Sequence, residues 1–76
     1  MNLIQLDAGK MAVIKELQGG ELVVHRLEAM GITPGSVIVK KGASIMRGPL
    51  VVQKGSFQMA IGYGMAKKII VEPINN

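Results

Sequence analysis

The hydrophobic and polar positions of this 76-residue chain divide it into short segments, most of them separated by glycine. Most of these segments are rich in β-branched residues and end at turn signals, which is typical of strands. The pattern predicts about five strands: Lys10–Leu17, Ser36–Lys41, Leu50–Gln53, Phe57–Ile61 and Ile69–Ile74. Short strands of this kind are typical of a small barrel, in which closure of the sheet removes exposed strand edges.

The fourth predicted strand has the clearest period of two. Phe57, Met59 and Ile61 alternate with polar or small residues, so we expect these three side chains to point into the core. The preceding residues Lys54-Gly55-Ser56 form a hairpin signal. The third and fourth strands are therefore expected to pair, with Phe57 in the core.

One segment, Glu21–Met30, has a helical period instead. Val23, Leu27 and Met30 fall on one stripe at i, i+4 and i+7, which predicts an amphipathic helix with that stripe in the core. The helix is inserted after the first strand. The predicted fold class is therefore all-β with one inserted α-helix.

The residues after this helix predict a sharp corner. Gly31 stands where the helix must end, and a left-handed glycine there lets the last carbonyl groups find donors. We expect Ile32 to fold back onto the apolar stripe. Pro34 prevents the helix from resuming and presets a turn that Gly35 completes.

The composition excludes several classes of protein. The chain has no cysteine, which excludes disulfides, Cys-based zinc sites, iron–sulfur clusters and thiol nucleophiles. It has no signal-peptide pattern, and no run approaches the ~18–20 apolar residues that a membrane-spanning helix needs. We expect one domain, residues 1–76, that does not span the membrane.

Catalysis is not predicted. His25 and Asp7 could be combined with Ser36, Ser44 or Ser56 as a hydrolase triad, but nothing in their spacing orients them. The chain also lacks a G-x-x-x-x-G-K-[ST] phosphate loop. We therefore expect a protein that is not an enzyme.

A metal site on the helix is one hypothesis. Glu21, His25 and Glu28 lie on the helix face opposite the apolar stripe, and mixed oxygen and nitrogen ligands suit Fe²⁺ or Zn²⁺. Three surface side chains without supporting hydrogen bonds bind metal weakly. The alternative is that this face is simply solvated.

Nucleic-acid binding is a second hypothesis, because small barrels do bind RNA and the formal net charge is +4. Single-strand binding depends on aromatic side chains that stack on bases, and this chain offers only Phe57 and Tyr63. The basic residues are also dispersed. Nucleic acid is therefore the less favoured partner.

Protein binding is the favoured hypothesis, because a chain this short cannot bury all its aliphatic side chains and exposed apolar patches mark partner surfaces. The candidates form two groups. One is the helix patch, Leu22, Arg26 and Ala29, and the other is the loop patch, Ile45, Met46 and Arg47. Deeper burial of the helix, or a loop folded back onto the barrel, would remove these surfaces.

The segment RLEAMGITPG (Arg26–Gly35) resembles the signature of the FeoA family, ferrous iron transport protein A. The resemblance continues through Gly9–Gly20, Gly48-Pro49, the Lys54-Gly55 hairpin and the spacing Ala66-x-x-Ile69-x-Val71. It covers nearly the whole chain. The fold that it implies is a small SH3-like barrel.

The resemblance also implies a function. It implies a prokaryotic cytoplasmic module that requires no cofactor and regulates or assembles FeoB, a membrane iron transporter with a cytosolic G-protein domain. The resemblance does not decide whether the contact is with the G-protein domain or with the membrane part of FeoB. It also leaves undecided a peripheral position at the inner face of the membrane, self-association, and weak, transient binding of Fe²⁺ or Zn²⁺. A related SH3-like domain occurs at the C-terminus of the iron-dependent repressors of the diphtheria toxin repressor type. A metal-sensing regulatory domain is therefore an alternative, as is the nucleic-acid-binding barrel.

Overall fold

The computed structural model describes residues 1–43 and 45–74. The elements along the chain are β1 (Met11–Leu17), α1 (Glu21–Ala29), β2 (Val37–Gly42), β3 (Leu50–Lys54), β4 (Phe57–Ile61), α2 (Tyr63–Ala66) and β5 (Ile69–Pro73). The five predicted strands and the inserted helix are confirmed, and each strand boundary lies within one residue of its predicted position.

The strands form one antiparallel sheet in the order β4-β3-β2-β1-β5. The outer side of β5 is covered by the start of the chain: Asn2 bridges Ile70, and the Leu3 N–H donates to the Ile69 carbonyl at 2.9 Å. Within the described residues, β4 has β3 as its one strand neighbour. The two edges of the sheet therefore differ, since one is covered and the other is open. The expectation that closure of the sheet would remove exposed strand edges is wrong for β4, because β4 pairs with β3 and not with β5.

A single core takes side chains from every element. Its fully buried members are Leu3, Leu6, Ala12, Ile14, Leu27, Ile32, Ile38, Leu50, Val52, Ile61, Ala66, Ile69 and Val71. The predicted core positions Leu27 and Ile32 are confirmed, and Val23 packs against the core while partly buried. All-aliphatic packing of this kind supplies most of the favourable free energy of folding.

Two predicted core residues lie at the surface instead. The Phe57 side chain is 74 % exposed, because Phe57 directly follows the β3–β4 turn and stands beyond the part of the sheet that the core covers. Met30 is 36 % exposed, because α1 ends at Ala29 and Met30 is the cap residue. Each prediction identified an apolar position correctly but was wrong about its burial.

Candidate protein-binding surfaces

The end of α1 has the predicted geometry. Gly31 has a φ of +82°, the left-handed region that favours glycine. Its N–H donates to the Glu28 carbonyl, and the Ile32 N–H donates to the Leu27 carbonyl, each at 2.9 Å. This pair of bonds is a Schellman motif, in which the backbone donors of the two residues after the cap satisfy the last helical carbonyls.

The corner after the helix is a type II turn that is anchored to β1. The Ser36 N–H donates to the Thr33 carbonyl at 3.0 Å, with Pro34 and then Gly35, at φ +92°, in the central positions. The Gly35 N–H donates to the Ile14 carbonyl of β1 at 2.7 Å. The corner therefore fixes the position of α1 relative to the sheet.

The helix patch lies at the surface. Leu22 is 66 % exposed, and Arg26 and Ala29 are exposed as well. The side of α1 that carries Leu27 is buried, so the patch lies on the flank of a firmly packed helix. An apolar leucine held in this way needs little ordering when a partner covers it.

The loop patch is even more exposed. Ile45 is 78 % and Met46 is 95 % exposed, so these two side chains do not fold back to cover the core. Met46 and Arg47 have φ values of 52° and 62°, and two successive non-glycine residues in the left-handed region are uncommon and costly. Such strain is concentrated at functional sites in proteins.

A third apolar surface was missed by the sequence analysis. It is an open cleft between the end of α1 and the start of β4, which we call the α1–β4 cleft; its apolar residues are Ala29, Met30, Val37, Phe57 and Met59. The cleft has a volume of about 760 Å³, which is within the range of small-molecule sites. The two misassigned core residues, Phe57 and Met30, lie on its walls, and Ala29 of the helix patch lies on it too.

Comparison with known proteins identifies the family. The FeoA domain model matches residues 1–73. The chain belongs to the FeoA family. A protein of Methanocaldococcus jannaschii named "Putative Fe(2+) transport protein A" is 34 % identical over 64 residues, which are 84 % of this chain and 76 % of that protein. The expected family resemblance is thus confirmed.

Solved FeoA structures have the same fold. The crystal structure of an iron uptake regulatory protein, FeoA, is 27 % identical, with a TM-score of 0.86 over 97 % of this chain and 96 % of that chain. Stenotrophomonas maltophilia FeoA, solved with zinc and described as an SH3 domain protein, is 25 % identical, with a TM-score of 0.75 over 95 % and 89 % of the two chains. The chain is therefore an SH3-like FeoA protein, from a family of ferrous iron transport accessory proteins.

The three candidate metal ligands of this FeoA chain do not form a cluster. Glu21, His25 and Glu28 are all exposed on α1. Across residues 1–43 and 45–74, no three His, Cys, Asp or Glu side chains are close enough together to hold a metal ion. The zinc complex of the S. maltophilia relative concerns that protein, so metal binding by this face stays a prediction.

Lys40 is a further feature that sequence reasoning missed. Its side chain is buried, and Nζ donates to the carbonyl oxygens of Leu3, Ile4 and Leu6 at 3.1, 3.0 and 2.6 Å. Burial lowers the pKa of this amine, and the nearby negative charge of Asp7 opposes that shift in part. Lys40 thus ties the start of the chain to β2 and does not contribute to a basic surface.

No helix in the described part of the chain is long and apolar enough to cross a membrane. Membership of the FeoA family favours neither the nucleic-acid-binding barrel nor the metal-sensing regulatory domain. Tyr63 is half-buried, with Lys67 Nζ 5.8 Å from the centre of its ring. It is therefore a poor stacking platform for a base.

Proposed function

We propose that this protein is a single-domain cytoplasmic FeoA module, residues 1–76, that binds the membrane iron transporter FeoB and acts without chemistry of its own. Binding would regulate or assemble the transporter at the inner face of the membrane. Family membership supports a role in ferrous iron transport. The choice of FeoB as partner follows from that role, because an accessory protein of transport has to act on a transporter.

The observation that carries the proposal is the exposure of Met46. A methionine that is 95 % exposed on a left-handed backbone gains nothing for the isolated fold, since the side chain packs on nothing and the backbone is strained. Methionine adapts well to partner surfaces, and arginine is enriched in them. We therefore assign the loop patch as one contact with the transporter.

The helix patch is assigned as the second contact. Leu22 and Arg26 supply an apolar side chain and a cation on a rigid helix. A leucine that becomes buried in an interface contributes on the order of 1.5–3 kcal/mol from its apolar area. Leu22 is thus expected to be the stronger contact of this patch, with Ala29 at its margin.

The test is a binding measurement with full-length FeoB in lipid nanodiscs, using the FeoA and FeoB of one organism. Leu22→Glu and Met46→Glu should each weaken binding by about tenfold or more, as buried contact residues do. Gln18→Glu, at an exposed position, makes the same change in net charge and should leave binding unchanged. Equal binding by the wild type and both variants would mean that neither patch contacts the transporter.

A further inference from the structure

The open edge of the sheet at β4 has the properties of a strand-binding site. The outer side of β5 is covered by the first residues of the chain, whereas β4 pairs with β3 alone within the described residues. An edge strand has a row of unpaired backbone donors and acceptors that another extended chain can pair with.

The turn between β3 and β4 defines the outward groups. Gly55 has a φ of +60° and Ser56 does not have a positive φ, as in the two-residue type II′ turn with glycine first. In such a hairpin the closing pair, Lys54 and Phe57, exchanges both hydrogen bonds, and bonded and non-bonded pairs then alternate. The N–H and C=O groups of Gln58 and Ala60 therefore face the open edge.

The devices that normally protect an edge strand are missing from β4. Its sequence, FQMAI, contains no charge and no proline, and its register with β3 runs without a bulge from Phe57 to Ile61. Natural proteins block such edges with lysine, proline or bulges because an open edge pairs with other chains. An unprotected edge of this kind is suited to binding an extended peptide.

The α1–β4 cleft lies beside this edge. Phe57 and Met59 lie on the same side of β4 and line the cleft. Side chains of an added strand would also alternate, so that every second one would point toward the cleft. The cleft would favour apolar side chains at those positions, since Met30 and Val37 line its other parts.

The charge of the segment that contains β4 favours an acidic peptide. The sequence from residue 29 to residue 71, which includes β2, β3, β4 and α2, contains no Asp or Glu and, besides the buried Lys40, five cationic residues: Lys41, Arg47, Lys54, Lys67 and Lys68. Lys54 lies on the cleft itself, on the side of the sheet that the apolar side chains would face, so the acidic side chains would be attracted by the net charge of this segment and not by direct contact with Lys54. A second copy of this chain would bring two cationic segments together, whereas an acidic peptide would be attracted.

We propose that β4 binds an extended acidic peptide segment by strand addition, with apolar side chains at every second position in the α1–β4 cleft and Asp or Glu at the positions between them. The backbone groups of Gln58 and Ala60 would pair with the peptide. This site is distinct from Leu22 and the loop patch, and the proposal stands whether or not the partner is FeoB.

The probe is a capped octapeptide of alternating Val and Glu, titrated into ¹⁵N-labelled protein at low salt. We expect saturable shifts of the Gln58 and Ala60 amide signals and at least about tenfold slower hydrogen exchange at these two amides, because both become hydrogen-bonded. The same peptide with Lys in place of Glu should bind at least about tenfold more weakly. Absence of shifts with the Glu peptide, or equal binding of the Lys peptide, would overturn the proposal.

Backbone pairing is tested from both sides. Gln58→Pro removes an outward N–H but no backbone bond to β3, a position at which edge strands tolerate proline, and should abolish the shifts; the side-chain bond from Gln58 to Gln53 is lost in Gln58→Thr as well. Gln58→Thr keeps the N–H and should bind normally. On the peptide side, two versions are compared, one N-methylated at every valine and the other N-methylated at every glutamate. Only one of them should lose binding, because alternate amides of the peptide face β4.

Undiminished binding of both methylated peptides would overturn the proposal even if Gln58→Pro failed to fold. Undiminished binding by a Gln58→Pro variant with a wild-type thermal melt would overturn it as well. Neither result depends on a transporter, so the failure of this inference and the failure of the proposed FeoB contact can be distinguished.

Discussion

Lys54 Nζ donates a hydrogen bond to the carbonyl oxygen of Gly31 at 2.5 Å. The two residues are 23 positions apart, so the bond joins the β3–β4 turn to the end of α1. A cation at this place also interacts favourably with the negative end of the helix dipole. The bond spans the α1–β4 cleft and holds its two walls together.

Loss of this bond should destabilise the protein measurably. Lys54→Met keeps most of the apolar stem but removes the donor, and we expect the free energy of unfolding to fall by about 1.5–3 kcal/mol, as for hydrogen bonds from charged groups. Urea denaturation followed by circular dichroism measures the change. Lys41→Met, at an exposed position of β2, changes the net charge equally and should stay within about 0.5 kcal/mol of the wild type. Equal losses in the two variants would contradict the assignment.

Gly31→Ala should also be destabilising, since its φ of +82° is strained for any residue with a Cβ. The new methyl group would also lie 3.4 Å from Lys54 Nζ. We expect a cost on the order of 1 kcal/mol in thermal or urea melts. Gly64→Ala is the matched control, because this residue lies in α2 with nothing within 4 Å of the added Cβ, and it should stabilise slightly. Two changes of the same sign would contradict the left-handed cap.

Lys40 should titrate below 10.5, because burial lowers the pKa of its amine. The folded state holds the Lys40 proton less tightly than the unfolded chain does. Deprotonation of Lys40 therefore raises the free energy of unfolding as pH rises from the folded-state pKa toward 10.5, and this gain is lost as pH falls through the folded-state pKa. NMR of the Lys40 side chain measures the midpoint. Asp7→Asn should lower the midpoint further, since the Asp7 charge raises the pKa of Lys40.

A control separates this local effect of Asp7 from a change in net charge. Glu72→Gln removes a carboxylate that lies 3.5 Å from Lys15 Nζ instead, and it should leave the Lys40 midpoint unchanged. A Lys40 midpoint that rises in Asp7→Asn, or that moves equally in both variants, would be the opposite of the expected result.

The strained loop predicts a conflict between stability and binding. Met46→Gly relieves a φ of 52° and should raise the free energy of unfolding by up to about 1 kcal/mol, while it weakens binding to FeoB through loss of the exposed side chain. Met30→Gly, at an ordinary φ of −88°, should instead lower stability. The strain argument fails if Met46→Gly is the more destabilising of the two.

Zinc should bind the exposed face of α1 weakly. Because Glu21, His25 and Glu28 are not brought together as ligands, we expect the His25 imidazole signals in NMR spectra to change gradually and without saturation at one equivalent of Zn²⁺. Saturation at one equivalent, lost in Glu21→Gln and Glu28→Gln, would instead establish a built metal site.

Local chemistry made part of this structure predictable. The helix ends at Gly31 because the Schellman motif needs only neighbouring residues and one left-handed position. The turn through Pro34 and Gly35 follows from the fixed φ of proline and the freedom of glycine. The exposure of Leu22 and Met46 was also predicted, since a short chain rich in aliphatic residues must leave some of them uncovered.

Long-range packing decided the rest. Alternation placed Phe57 on the inner side of β4, but it could not show that no element covers the side chain there. In the sequence, Lys40 is one of several dispersed lysines. In the structure it is buried, and it donates hydrogen bonds to carbonyl groups 34 to 37 residues earlier in the chain. The α1–β4 cleft likewise exists only because the cap of one element and the start of another meet.

The sequence by itself determined the elements, their ends and the corner that directs α1 across the sheet, because each depends on backbone preferences within a few residues. Only the tertiary structure decided which apolar side chains are covered, which lysine is buried and which sheet edge stays open. These outcomes depend on what packs against a residue from elsewhere in the chain, and the local pattern around that residue does not contain this information.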